Sequence, residues 1–217
     1  STISSQFNTS SLEFAYDLTF DGVNLIALMR GNSPSDNPNI WIRIFDGVDS
    51  TKLLDIPLTH LTFKDAGTFS GLVYTGFEFI TSDNIEAKIF IHNGMTGTIL
   101  SSFASPGTSP TGLGYDFTSG NLISLDRIDD TVYVHSGLTS TISTSFASPS
   151  TDPRGVVYTS TQLITSDEDD SKIYIHDDIS QTTLTNFATP LPTPDGITLD
   201  YDIKATRFRL RNINFTA

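Results

Sequence analysis

Three aspartates stand at one place in a repeated phrase: Asp83, Asp126 and Asp167. Each closes a short β-type run, Phe79-Ile-Thr-Ser-Asp83, Asn121-Leu-Ile-Ser-Leu-Asp126 or Leu163-Ile-Thr-Ser-Asp167. Each then opens an acidic turn: Asn84-Ile-Glu86, Arg127-Ile-Asp-Asp130 or Glu168-Asp-Asp170. Two kinds of chemistry suit such carboxylates. They could form a rim that takes Ca²⁺ or the hydroxyls of a polyol, since hard cations prefer oxygen ligands. Alternatively, each could accept the backbone N–H groups of its own turn. Repetition in every copy argues for the architectural use. No EF-hand spacing is present, and no other cofactor is expected. Asp126 and Asp167, with Arg127, Arg154 and Asp195 on turns expected at the same end, make up the candidate ligand-binding set.

The phrase that carries them organises the chain. Gly71, Gly112, Gly155 and Gly196 are spaced by 41 or 43 residues, and so are His92, His135 and His176 and the phenylalanines 103, 146 and 187. Four β-type runs in about 40–45 residues is the length of a propeller blade, a four-stranded antiparallel sheet that needs neighbours on both faces. The expectation is an all-β, five-bladed propeller forming one domain, with a four-bladed ring and a stray sheet as the alternative. Its blades would cover residues 12–56, 67–103, 112–146, 155–187 and 196–217. Residues 1–7 match Ser140-Thr-Ile-Ser-Thr-Ser-Phe146 and would complete the last blade as its outer strand, so closing the ring and removing two open edges. The glycine that starts each inner run permits close approach at the axis, and Leu113 and Tyr115 after it would pack between blades. The segment 31–39, with two prolines, reads as an exposed loop. No sustained 3.6-residue period predicts a helix.

Asp17, Asp116 and Asp200 are expected to close three innermost strands and ring one end of the channel. There they could hold a cation, or one of them could take the raised pKa that acid–base work requires. Five-bladed glycosidases place paired carboxylates near the axis, but with longer loops that shape a sugar pocket. The loops here are short, so no catalytic residue is assigned and an enzyme is not expected. The three histidines, one blade's width apart, cannot share a metal and are expected to pack structurally.

The opening Pro-x-Gly-Leu-x-Tyr-Asp, the Asp that ends the second run and the Ile-Tyr-Val-His-like third run resemble the NHL/YVTN-type propeller repeats. The resemblance covers nearly the whole chain. It implies a WD40-like propeller and leaves the activity open, because such repeats occur in lyases, sensors, adhesins and scaffolds.

Composition narrows the partners. The net charge of the 217 residues is −13. That opposes nucleic-acid binding, which needs cations to neutralise phosphates, and opposes docking on anionic membranes. No apolar run reaches the length that spans a bilayer. About a quarter of the residues are Ser or Thr and none is Cys. This balance favours an extracellular or cell-surface location. Asn8-Thr-Ser10 and Asn214-Phe-Thr216 are glycosylation sequons. Arg207, Arg209 and Arg211 put three cations on one face of a strand, suited to an acidic patch on another copy. The function expected is a non-enzymatic interaction module for adhesion, glycan binding or assembly, with glycans, surface proteins or copies of itself as partners. A structural subunit of a filament or virion, and a hydrolase or lyase with carboxylates at the channel mouth, are the alternatives.

Overall fold

Every middle strand of a blade is buried on both faces, and this sets the architecture. The computed structural model describes residues 13–31, 40–47, 51–58, 69–189, 194, 196–201 and 208–212. All elements among them are strands. The first blade is β1 (Glu13–Phe20), β2 (Leu25–Gly31), β3 (Ile40–Phe45) and β4 (Lys52–Pro57). The second is β5 (Phe69–Tyr74), β6 (Phe79–Asp83), β7 (Lys88–His92) and β8 (Ile99–Ala104). The third is β9 (Pro110–Asp116), β10 (Asn121–Asp126), β11 (Thr131–His135) and β12 (Ile142–Ala147). The fourth is β13 (Pro153–Tyr158), β14 (Gln162–Asp167), β15 (Lys172–Asp177) and β16 (Thr183–Ala188). Each is an antiparallel sheet whose strands pair in chain order.

The count of five blades is corrected here. Among the described residues the propeller has four four-stranded blades, followed by a two-stranded ribbon of β17 (Ile197–Tyr201) and β18 (Phe208–Asn212). The ribbon pairs in unbroken register from Ile197↔Asn212 to Tyr201↔Phe208. The reason is visible in the residues. The phrase after Gly196 lacks the Ile-x-Ile-His run that builds third strands elsewhere. β17 packs between β13 and β1, so five inner strands surround the axis although only four carry a full blade. The proposed closing strand, residues 1–7, and the loop 32–39 lie outside the described residues.

Blades adhere through layers of apolar side chains. Ile26, Leu28, Ile42 and Ile56 of the first blade meet Leu72, Phe79 and Phe90 of the second. Val73, Ile80 and Ile89 of the second meet Leu113 and Leu122 of the third. Ile123, Leu125 and Val132 meet Val156, Tyr158 and Leu163 of the fourth, and Ile164 and Ile173 there meet Ile197 of β17. A strand between two such layers has no wet face, which is why Leu-Ile-Ala-Leu-Met in β2 does not alternate. The outer strands carry the Ser and Thr; β16 is exposed along its whole length.

The axis is filled by the absence of side chains. A Cβ on Gly112 would lie 2.5 Å from the Arg154 carbonyl oxygen of the next inner strand. In β1 the same place in the strand is taken by Asp17, since Leu18, Leu72, Leu113, Val156 and Ile197 follow it and its four glycine counterparts.

A polar pair recurs inside three blades. Thr81 Oγ1 lies 3.0 Å from His92 Nε2, Ser124 Oγ lies 2.9 Å from His135 Nε2, and Thr165 Oγ1 lies 3.1 Å from His176 Nε2. Every member is buried. The outer-strand phenylalanine of one blade then lies against the next blade's imidazole, Phe103 at 5.5 Å from His135 and Phe146 at 6.1 Å from His176. Burial holds His135 and His176 below the ordinary histidine range. The first blade replaces both partners: by strand register Ala27 stands where Thr81 does, and Phe45 where His92 does. Apolar contact there takes the place of the hydrogen bond.

Replacing Phe79, which is fully buried at the junction of the first two blades, by alanine is expected to cost about 3–5 kcal/mol of unfolding free energy. Gly112→Ala should cost about 1–3 kcal/mol by overpacking the axis. Urea unfolding followed by circular dichroism measures both.

Candidate functional site

The propeller has two ends. One carries the connectors between blades and the turns between second and third strands. The other carries the hairpins that leave the inner strands.

At the connector end, the repeated aspartates accept backbone amides of their own turns. Asp126 is fully buried; its Oδ1 accepts from the amides of Ile128 and Asp129 at 2.9 and 3.0 Å, and its Oδ2 from the Ser109 amide at 2.6 Å. Asp83 Oδ1 accepts from the amides of Ile85 and Glu86 at 2.7 and 2.9 Å. Asp167 Oδ1 accepts from the Asp170 amide at 3.0 Å. These bonds hold turns that contain Ala87, Asp130 and Ser171 at φ of 49°, 48° and 51°, a region costly for residues with a Cβ. Arg127 Nε donates to Ser109 Oγ at 3.2 Å, so Asp126 and Arg127 converge on one connector residue. The Arg154 guanidinium bridges Asp152 and Glu168, joining a connector to the turn after Asp167. Asp195 lies outside the described residues. Burial raises the pKa of Asp83 and pushes that of Asp167 up to about 6.

The proposed axial trio does not converge. Asp17 is buried in mid-strand: Oδ1 accepts from the Leu18 amide and Oδ2 from the Leu72 amide of the next blade, both at 2.8 Å. β1 runs on to Phe20, and Asp21 holds the place that Asp116 holds in the third blade. Asp116 caps its hairpin, accepting from the Thr118 amide at 2.8 Å and the Ser119 hydroxyl at 2.5 Å. Four residues of strand separate these two levels, about 13 Å at 3.3 Å per residue. The backbone of Asp200 pairs with Arg209 within the ribbon. Among the described residues no group of three or more His, Asp, Glu or Cys could hold a metal ion. Asn8 and Asn214 lie outside the described residues.

The hairpin end is built differently. There the inner strands line a shallow concavity that opens to solvent. Its floor is apolar, Leu18, Leu72, Leu113, Val156 and Ile197, and its mouth is aromatic, Phe20, Tyr74, Tyr115, Phe117 and Tyr158. Phe117 stands edge-on to Tyr115 at 5.1 Å. Beside the mouth, the hairpins expose Val23 by 64 %, Phe77 by 83 % and Phe117 by 55 %. Side chains brace the hairpins: Asp21 Oδ1 accepts from the Val23 and Asn24 amides, and Thr75 Oγ1 from the Phe77 and Glu78 amides. Burial raises the tyrosine pKa values, and carboxylates add to it. Asp21 acts on Tyr74, Glu78 and Asp116 on Tyr115, and Asp178, which accepts the Tyr158 hydroxyl, on Tyr158. A cup with an apolar floor and aromatic walls can bind; among the described residues its lining holds no paired carboxylates for general acid–base work.

Sequence reasoning missed this cup, although the packing of Leu113 and Tyr115 between blades is as expected. The signal was present: an aromatic residue stands three places after each of Gly71, Gly112 and Gly155, and Phe20 three places after Asp17.

Comparison with protein-family models and with curated proteins gives no match. Solved structures do match. One is the glutaminyl cyclase of Myxococcus xanthus, 13 % identical, with 98 % of this chain and 91 % of that one covered at a TM-score of 0.71. A chain of the mitotic checkpoint complex is 13 % identical, with 94 % and 61 % covered at 0.55. The WD40 repeats of RRP9 are 12 % identical, with 63 % and 43 % covered at 0.49. At these identities the likeness concerns the fold alone, a β-propeller.

The raised pKa of Asp167 gives a signed expectation. Its folded value near 6 exceeds that of an unfolded aspartate, so the folded state binds the extra proton and the group stabilises as pH falls from 7 to about 4. The difference in urea midpoint between wild type and Asp167→Asn should therefore grow in favour of wild type over that interval.

Proposed function

We propose that the protein is a non-enzymatic extracellular interaction module that meets its partner with the hairpin end of the propeller. The observation that carries this is the aromatic cup with Val23, Phe77 and Phe117 exposed on the hairpins beside it. Exposed apolar groups gathered on one rigid surface mark contact sites, and aromatic residues dominate contact energy. The use of Asp126, Asp116 and Asp17 as backbone acceptors supports a binding reading over a hydrolytic one. The acidic, Ser/Thr-rich composition supports an extracellular setting for it.

Wild type and a Phe77→Ser/Phe117→Ser double variant, each applied to glycan and peptide arrays, test the reading. Wild type should give hits that the double variant weakens at least tenfold. Its melting temperature should stay within about 2 °C, because both side chains are exposed. A peptide with N-terminal glutamine, incubated with the protein and followed by mass spectrometry, should lose no ammonia. Arrays without hits, hits indifferent to the two phenylalanines, or turnover of that peptide would sink it.

A further inference from the structure

The rim of the propeller is open in a way its ends are not. The second, third and fourth blades finish at β8, β12 and β16, and among the described residues no further strand pairs with them. Register sorts their backbone groups. The amides of Ser105, Ser148 and Thr189 donate inward to the carbonyls of Ala87, Asp130 and Ser171 at 2.8, 2.7 and 2.8 Å. Bonding alternates along an antiparallel strand. Phe103, Phe146 and Phe187, opposite Ile89, Val132 and Ile173, therefore bond inward as well. The residues between them, Ser102 with Ala104, Ser145 with Ala147 and Asn186 with Ala188, turn their N–H and C=O groups to the rim. Each strand carries a bulge at its start and runs in regular register after it.

Sheet edges of soluble proteins are commonly blunted by charge or proline. The first blade follows that practice. Its outer strand β4 reads Lys-Leu-Leu-Asp-Ile-Pro, with Lys52 and Asp55 paired at 3.0 Å and Pro57 at its end. The other three outer strands have no such guard. β8 is Ile-Leu-Ser-Ser-Phe-Ala, β12 is Ile-Ser-Thr-Ser-Phe-Ala and β16 is Thr-Leu-Thr-Asn-Phe-Ala, with no charged residue and no proline, and each is exposed over most of its length. Short uncharged segments of this kind pair edge to edge. Going beyond the hairpin-end reading, we infer that β8, β12 and β16 pair antiparallel with the outer strands of further copies of this chain, joining propellers rim to rim. A second copy is the fitting partner because the edges are alike: two antiparallel strands with the same alternation of donors and acceptors satisfy each other. The chain carries a net charge of −13, so two copies meet at least cost where neither presents a charge. Ser and Thr facing each other across the join add hydroxyl contacts. Three such edges on one copy lead past a dimer to a network.

The test follows the whole protein by sedimentation from micromolar to millimolar concentration. Wild type should form species larger than a dimer. Their share should grow as salt rises past about 0.15 M, because screening removes the repulsion between like net charges. The amides of Ser102, Ser145 and Asn186 should exchange hydrogen at least tenfold more slowly in the associated state. Ser102→Pro/Ser145→Pro/Asn186→Pro removes rim-facing donors and touches no inward bond; it should weaken association at least tenfold. Ser102→Lys/Ser145→Lys/Asn186→Lys keeps every amide, at three exposed positions, and so stands in should the prolines disturb the fold. It should also weaken association at least tenfold, by setting like charges across the join, although it lowers the net charge of the chain. Phe77→Ser/Phe117→Ser should associate as wild type does. Strictly monomeric behaviour at millimolar concentration, or association that the lysine variant leaves intact, would overturn the rim contact. Loss of association in Phe77→Ser/Phe117→Ser would place the contact at the hairpin end and overturn it equally. Association that weakens as salt rises would overturn the uncharged edge in favour of ion pairs.

Discussion

Close approach of inner strands at the axis is the constraint on which the rest depends. Gly112 has no room for a methyl group beside the Arg154 carbonyl, and Gly196 abuts the Asp17 carboxylate. With the strands this near, the residue that follows each of these positions is sealed into an apolar floor. The layers between blades then close at a distance that leaves Phe79, Ile80, Leu122 and Leu163 without solvent contact. Hydrophobic burial supplies the cohesion, and the axial geometry decides where it can act.

Asp17 shows how one inner strand departs from that rule and remains compatible with it. Its carboxylate occupies space that glycine leaves empty elsewhere. Its two oxygens accept amides from its own strand and from β5. A buried charge is tolerable when hydrogen bonds replace its hydration. The same device recurs at lower cost in the turns, where Asp83 and Asp126 spend their oxygens on amides that would otherwise face the interior. Carboxylates in this propeller are mainly fasteners, at the hairpin end as well, where Asp21 and Asp116 hold the turns.

Most of the blade plan was legible in the sequence because it is periodic. The spacing of Gly71, Gly112 and Gly155 and the runs ending at Asp83, Asp126 and Asp167 became inner and second strands as spaced. Two features were not legible. The register of β1 could not be read from its aspartates, because Asp17 and Asp21 are both plausible strand ends and only pairing with β2 shows the strand continuing to Phe20. The extent of the last repeat was overread, because a glycine and an apolar run after it signal an inner strand and say nothing about a third or fourth. The cup escaped notice for a different reason. Tyr74, Tyr115 and Tyr158 are each an ordinary strand residue in one blade; they form a wall only when five strands meet around an axis.

The hydroxyl–imidazole pair inside the blades has a consequence for how such a chain can vary. The first blade carries Ala27 with Phe45 where its neighbours carry Thr81 with His92 or Ser124 with His135. Either combination is self-consistent; a mixture would strand a polar group in an apolar slot or crowd a ring against a hydroxyl. Drift between the two states is thus gated by a pair of changes that must travel together.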